Sequence, residues 1–184
     1  MLYVLLAIVG VVVLILIYVL SLYNGLVRLN NRVKEAFSTM DVYLKKRWDL
    51  IPNLVETVKG YAKHEKGTLE DVIKLRNGAY DSMTDDDKIK TNAALSRGVM
   101  QIMALAESYP DLKANSNFMD LSRQLSEIEG EIANSRKYYN AVVKMFNDKV
   151  EVFPNNIFAG MFGRKTVAMF ETNAAERENV QVKF

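Results

Sequence analysis

The stretch LYVLLAIVGVVVLILIYVLSLYNGLVRLNNRVKEAFSTMDVYLKKRWDLIPNLVETVKGYAKHE, residues 2–65, decides the fold. It opens with an uncharged apolar run over residues 2–22 and passes, without a strong turn signal, into a charged segment with helical periodicity. A run of about 20 apolar residues wound as a helix crosses the roughly 30 Å hydrocarbon core of a bilayer. If the whole stretch is helical, it makes a rod of roughly 90 Å, about a third of it in the membrane.

A cleavable signal peptide has a positive n-region, a shorter apolar core and a small-residue cleavage site. Here the apolar run is too long, and Ser21-Leu22-Tyr23 stands where the small residues belong. Residues 1–22 are therefore expected to be a permanent transmembrane anchor, with Tyr3, Tyr18 and Tyr23 near the two interfaces where aromatic rings settle. No Lys or Arg precedes the span, whereas Arg28, Arg32 and Lys34 follow it closely. The positive-inside rule then predicts a single-pass protein with a short N-terminal tail outside and the C-terminal domain in the cytoplasm.

Beyond the span, apolar residues recur at 22, 26, 29, 33, 36/37, 40, 44, 51, 54, 58 and 61. The alternating steps of three and four are those of a bundle or coiled-coil seam. Arg47 falls where that seam asks for an apolar residue, and Trp48 stands beside it. Two readings of the pair are open. One is a snorkelling guanidinium with a core or interface ring; the other is a partner-binding spot, since Trp and Arg are common hot-spot residues. Pro52 also allows two readings: a continuous helix kinked where the Trp48 carbonyl loses its donor, or a fresh helix N-capped by Asp49.

The pattern YNxLVxLxNxVxEAxSxxDVxLKxRxDLIPNLVETVKGYAxHE, read here from Tyr23 to Glu65, resembles the signature of the LemA family, bacterial proteins with one N-terminal transmembrane helix. A second block, RKYYNAVVKMFNDKVEVFPNNIFAGMFG (residues 136–163), resembles that family's C-terminal pattern. Phe37 departs from it where a Trp is common. The resemblance implies a bundle of long helices behind a membrane anchor and a role in the bacterial envelope, at the inner membrane. It implies no catalytic activity.

The rest of the chain reads as helices folded back on the first. Thr68 is a candidate cap for a second helix, and residues 82–87 (SMTDDD) read as a turn whose aspartates suit the positive end of a helix dipole. A third helix is expected from about Lys88 to Tyr109, stopped by Pro110, and a fourth, long one from Asn115 or Ser116 to about Asn147. Its seam is Leu121, Leu125, Ile128, Ile132, Ser135, Tyr139, Val142 and Phe146. The fold class is all-α: an N-terminal transmembrane helix continuous with a long helix, kinked if Pro52 bends it, in an antiparallel four-helix-type bundle. The expected domains are the anchor (1–22), the bundle (23–165) and a polar C-terminal tail (166–184).

Residues 153–163 (FPNNIFAGMFG) are apolar and aromatic and are followed by Arg164 and Lys165. Either this segment packs back on the bundle, or Phe153, Ile157, Phe158, Met161 and Phe162 form a membrane-surface or self-association patch.

Little in the composition supports chemistry. The 24 Lys and Arg nearly balance the 22 Asp and Glu, which leaves no basic field for nucleic acid. There is no Cys, so no disulfide or thiolate site, and His64 is the only His, so no HExxH motif. Consecutive Asp85, Asp86 and Asp87 lack the alternation of an EF-hand loop. Glu127, Glu129 and Glu131 read as solvated charge on an exposed helix face. No catalytic residue, metal or cofactor is expected. The expected function is a self-assembling membrane-anchored scaffold, its homo-oligomer built on the seams of the first and last helices. The alternative is a monomeric adaptor tethering an envelope protein such as a protease or sensor through an exposed Arg47–Trp48 patch.

Overall fold

The computed structural model describes residues 1–62, 65–76 and 79–170. Within them the chain is all-α, with six α-helices and one 3₁₀ turn and no strand among the described residues. The helices are α1 (Leu2–Lys59), α2 (Lys66–Lys74), α3 (Asp85–Ala106), α4 (Pro110–Lys113), α5 (Ser116–Glu151) and α6 (Asn155–Met161), with the 3₁₀ turn at Tyr80–Ser82.

α1 is one unbroken helix of 58 residues. Of the two readings of Pro52, the continuous one holds: the helix runs through the proline, and Asp49 caps nothing. Its carboxylate instead pairs with Lys45 one turn back, at 2.7 Å. From Leu2 to Tyr18 every side chain is exposed, as an apolar helix made to be surrounded by lipid would be. From Leu22 a buried stripe begins: Leu22, Leu26, Val33, Ala36, Phe37, Met40, Leu44, Trp48, Ile51, Leu54, Val55 and Val58. The predicted seam is thus real, with one correction at its end. Tyr61 is 42% exposed and Ala62 takes the inward position, because the helix has already ended at Lys59, before the poor helix former Gly60.

The chain divides into two compact units. The first comprises Met1–Phe37 and Lys137–Met169. Within it, Phe37 meets Tyr139 edge-on with centroids 5.8 Å apart, Lys149 lies over Gly25, and Tyr18 reaches Asn155. Numbers fall along α1 as they rise along α5, so the two segments run antiparallel. α6 ends in a Schellman motif: Arg164 N–H donates to Ala159 O and Gly163 N–H to Gly160 O. Gly163, at φ +66, supplies the left-handed residue this turn requires. The chain then returns along α5, where the Asn147 amide holds Val167 in both directions, each bond 2.9 Å, and Tyr139 Oη donates to Ala168 O at 3.1 Å.

The second unit is built on Ser38–Arg136. α5 again opposes α1, since Asn115 bonds Tyr61 while Glu129 reaches Arg47. α3 runs with α1, pairing Lys88 with Asp41 and Asn92 with Arg47. Leu95, Val99, Ile102, Phe118, Leu125 and Ile132 fill the interior. Each such side chain buried contributes about 1.5–3 kcal/mol of transfer free energy. α3 starts where its cap dictates: Thr84 Oγ1 accepts from Asp87 N at 3.2 Å, with Asp85, Asp86 and Asp87 in the first turn. This is three residues earlier than expected. Thr68, by contrast, is no cap, because α2 has begun by Lys66. Pro110 opens α4 at its first position, and Asn115 caps α5 by accepting from Phe118 N.

Candidate functional site

Two places gather the residues singled out in the sequence. The first surrounds Arg47 in the second unit. A seam position that should be apolar carries a guanidinium only 1% exposed. Nη1 donates to Ser96 Oγ at 2.6 Å and to Glu129 Oε1 at 2.7 Å. Nη2 donates to Asn92 Oδ1 at 2.5 Å and to Asn92 O at 3.1 Å. Ser96 Oγ in turn donates to Glu129 Oε2 at 3.3 Å. A buried cation persists when it is paired and hydrogen-bonded, and here four acceptors from α3 and α5 surround it.

Trp48 is 3% exposed and lies 5.3 Å from the Tyr80 ring, with the Arg76 guanidinium 5.2 Å over its face. Tyr80 Oη donates to Asp41 Oδ1 at 2.5 Å, and Lys88 Nζ pairs with Asp41 Oδ2 at 2.8 Å. Burial raises the Tyr80 phenol well above its ordinary range, and the Asp41 carboxylate pushes it further. The Asp85 carboxyl is also raised, by desolvation first, with Lys88 acting against it.

Of the two readings of the pair, the exposed partner-binding patch is corrected: both side chains are interior, because the bundle folds α3, α5 and the Tyr80 turn over that stretch of α1, so Trp48 is a core ring and Arg47 is paired inside instead of snorkelling to the surface. Glu129 is corrected as well. It is only partly exposed and anchors the Arg47 pair, while Glu127 and Glu131 stay on the surface as expected. Sequence reasoning missed Asn92, Ser96, Asp41 and Tyr80. The one signal pointing toward them was a charged residue at an apolar register position.

The second place is the segment 153–163, in the first unit. α6 lies beside the end of the apolar run: Tyr18 Oη donates to Asn155 Oδ1 at 2.6 Å, Tyr18 meets Phe158 edge-on at 6.2 Å, and Tyr23 meets Phe162 at 5.1 Å. Ala159 is fully buried, and Phe158 and Phe162 are half-buried against α1. On the opposite side Phe153 and Met161 are each 75% exposed, with Ile157 and Val152 over half exposed. The five predicted residues thus divide into an inner pair facing α1 and an outer trio facing away.

Among the described residues no group of three or more His, Cys, Asp or Glu is placed to hold a metal ion. His64 and the tail beyond Phe170 lie outside the described residues. The second unit also carries an open groove of about 700 Å³ between α3 and α5, lined by Val99, Met100, Met103, Phe118, Met119 and Leu125.

A model of the LemA family matches residues 36–184. The chain is 29% identical to Protein LemA of Metamycoplasma hominis over 85% of its own length and 72% of that protein. It is 23% identical to Magnetosome protein MamQ 2 of Paramagnetospirillum magneticum over 83% of its length and 66% of that protein, and Magnetosome protein MamQ 1 of the same organism matches equally.

Proposed function

We propose a reading that starts from one premise, that this chain belongs to the LemA family: it is a membrane-anchored helical scaffold that organises proteins or lipid at a bacterial inner membrane, without catalysis. The observation that carries the reading is the continuity of α1. One helix passes from a lipid-compatible surface exposed on all sides to a stripe locked into helical packing, with no hinge between them. The similarity to two proteins named for the magnetosome supports a setting at a membrane. Arg28, Arg32 and Lys34 favour the bundle on the cytoplasmic side.

In this reading the scaffold assembles with copies of itself. The seams expected to join subunits are occupied: the α1 stripe from Leu22 to Val58, and Leu125, Ile132, Tyr139, Val142 and Phe146 on α5, are buried within the chain. Self-assembly therefore uses the outer surfaces, the lipid-facing span and the Met100–Met119 groove. That same groove favours a second reading, a monomeric tether that seats an envelope protein there. The test is the mass of the full-length protein in nanodiscs by light scattering or native mass spectrometry. A discrete multimer is expected. A monomer at all concentrations would remove the self-assembling scaffold and leave the tether.

A further inference from the structure

We infer that α6 and the residues flanking it are a second membrane contact, a short foot lying in the bilayer interface beside the transmembrane helix. The inference rests on the reading of residues 2–22 as a membrane span and adds to it a partner surface, the lipid headgroup and upper acyl layer.

The position of the foot follows from two fixed points. Tyr18 lies inside the uncharged apolar run, four residues before its end at Leu22, or about 6 Å along the helix axis. Asn155 accepts from the Tyr18 hydroxyl, and Phe158 and Phe162 pack on Tyr18 and Tyr23. α6 is thereby held at the level where the hydrocarbon core gives way to headgroups. A bilayer around the span extends sideways in every direction, so whatever is pinned to α1 at this level meets it.

The side chains fit that place. Ile157 and Met161 are four residues apart and share one face of α6, directed away from buried Ala159. Phe153 and Val152 extend the exposed apolar surface on the N-terminal side. Arg164 and Lys165 follow immediately, and Lys149 projects at Gly25 on α1. Apolar side chains with adjacent cations are what an interfacial helix uses on an anionic surface. Tyr18 and Tyr23 supply the amphipathic rings that favour the same depth. In water the Phe153, Ile157 and Met161 cluster would be an exposed apolar patch with no partner within the described chain. In the interface it is covered.

The chain has no Cys, so single-Cys spin labels report without removing native ones. Ile157→Cys and Met161→Cys, each labelled with a nitroxide, would be placed in the full-length protein in nanodiscs of phosphatidylcholine and phosphatidylglycerol. Val12→Cys in the span and Glu127→Cys on the exposed face of α5 serve as references. Collisions with oxygen, which concentrates in lipid, are compared with collisions with a water-soluble nickel chelate. The expected result is an oxygen-to-nickel ratio at 157 and 161 several-fold above that at 127 and below that at 12.

Labels at 157 and 161 that match 127, with 12 lipid-exposed, would overturn the foot and leave the span intact. Labels shielded from both reagents would overturn it in favour of contact with a second copy. A label at 12 accessible to nickel would remove the membrane reading itself. All four sites are exposed in the fold, so the substitutions leave its packing untouched.

Discussion

Arg47 and Glu129 stand 82 residues apart in the chain, yet the guanidinium of one, 1% exposed, lies 2.7 Å from the carboxylate of the other. The pair sits where the α1 seam would otherwise continue with an aliphatic side chain. It fixes the registers of α1, α3 and α5 at once, since Asn92 and Ser96 accept from the same guanidinium. Removing one partner and replacing the pair are therefore different experiments. Arg47→Ala opens a cavity and strands Asn92, which is 6% exposed, and is expected to cost about 3–5 kcal/mol. The double variant Arg47→Met/Glu129→Gln keeps the volume without a buried unpaired charge and is expected within about 1–2 kcal/mol of the parent. Urea unfolding in detergent micelles, followed by Trp48 fluorescence, measures both. Equal losses would mean the charge pair itself, not its broken remnant, carries stability.

Trp48 is the single Trp, which makes its burial directly readable. Its emission is expected to be blue-shifted and weakly quenched by acrylamide in the folded protein. Trp48→Ala acts on the core and is expected to cost about 3–5 kcal/mol. Full stability with loss of a binding partner would restore Trp48 to the surface role that its burial denies it.

Tyr80 predicts an alkaline limit. Its folded-state phenol holds its proton above the ordinary value of 10.0, chiefly through burial and then through Asp41, with Asp81 adding and Arg47 opposing. Above pH 10 the unfolded chain has lost this proton while the native one retains it. Stability from this group is therefore complete below pH 10 and falls as pH rises, by at most about 1.4 kcal/mol per unit. Tyr80→Phe is expected to lose about 1–2 kcal/mol at neutral pH, with its Asp41 bond, and to show a shallower decline above pH 10. Parallel slopes for variant and parent would contradict the assignment.

Gly98 lets α3 lie close against Val72 of α2. A Cβ there would meet Val72 Cγ2 at 2.8 Å, so Gly98→Ala forces the two helices apart or Val72 out of place. The expected overpacking cost of about 1–3 kcal/mol exceeds the roughly 1 kcal/mol that Ala gains over Gly in a helix. Adding Val72→Ala makes room, so the double variant is expected to be more stable than the two single losses sum to. Additive losses in thermal unfolding would show that Val72 is not the obstacle.

The reach of the sequence can be read from particular residues. The span is visible because lipid compatibility is a property of consecutive side chains, with no charge between Leu2 and Leu22. The seams on α1 and α5 are visible because burial follows a 3.5-residue period, and Leu26, Met40, Leu54, Leu125 and Phe146 all proved interior. Helix ends were less legible. Thr84 and Thr68 carry the same hydroxyl, and only the first finds a free N–H three residues on.

By itself, the sequence determined an all-α chain of the LemA type whose first helix suits a membrane, because hydropathy and helical period are local signals written residue by residue. Only the tertiary structure decided that Arg47 is interior and that Glu129 is its partner. Only the tertiary structure brought Asn155 to Tyr18, 137 residues away. Such pairings carry no local signal: an Arg in a seam and an Asn after a proline look the same whether they face water or each other. Their surroundings are set by which helices fold back, and where.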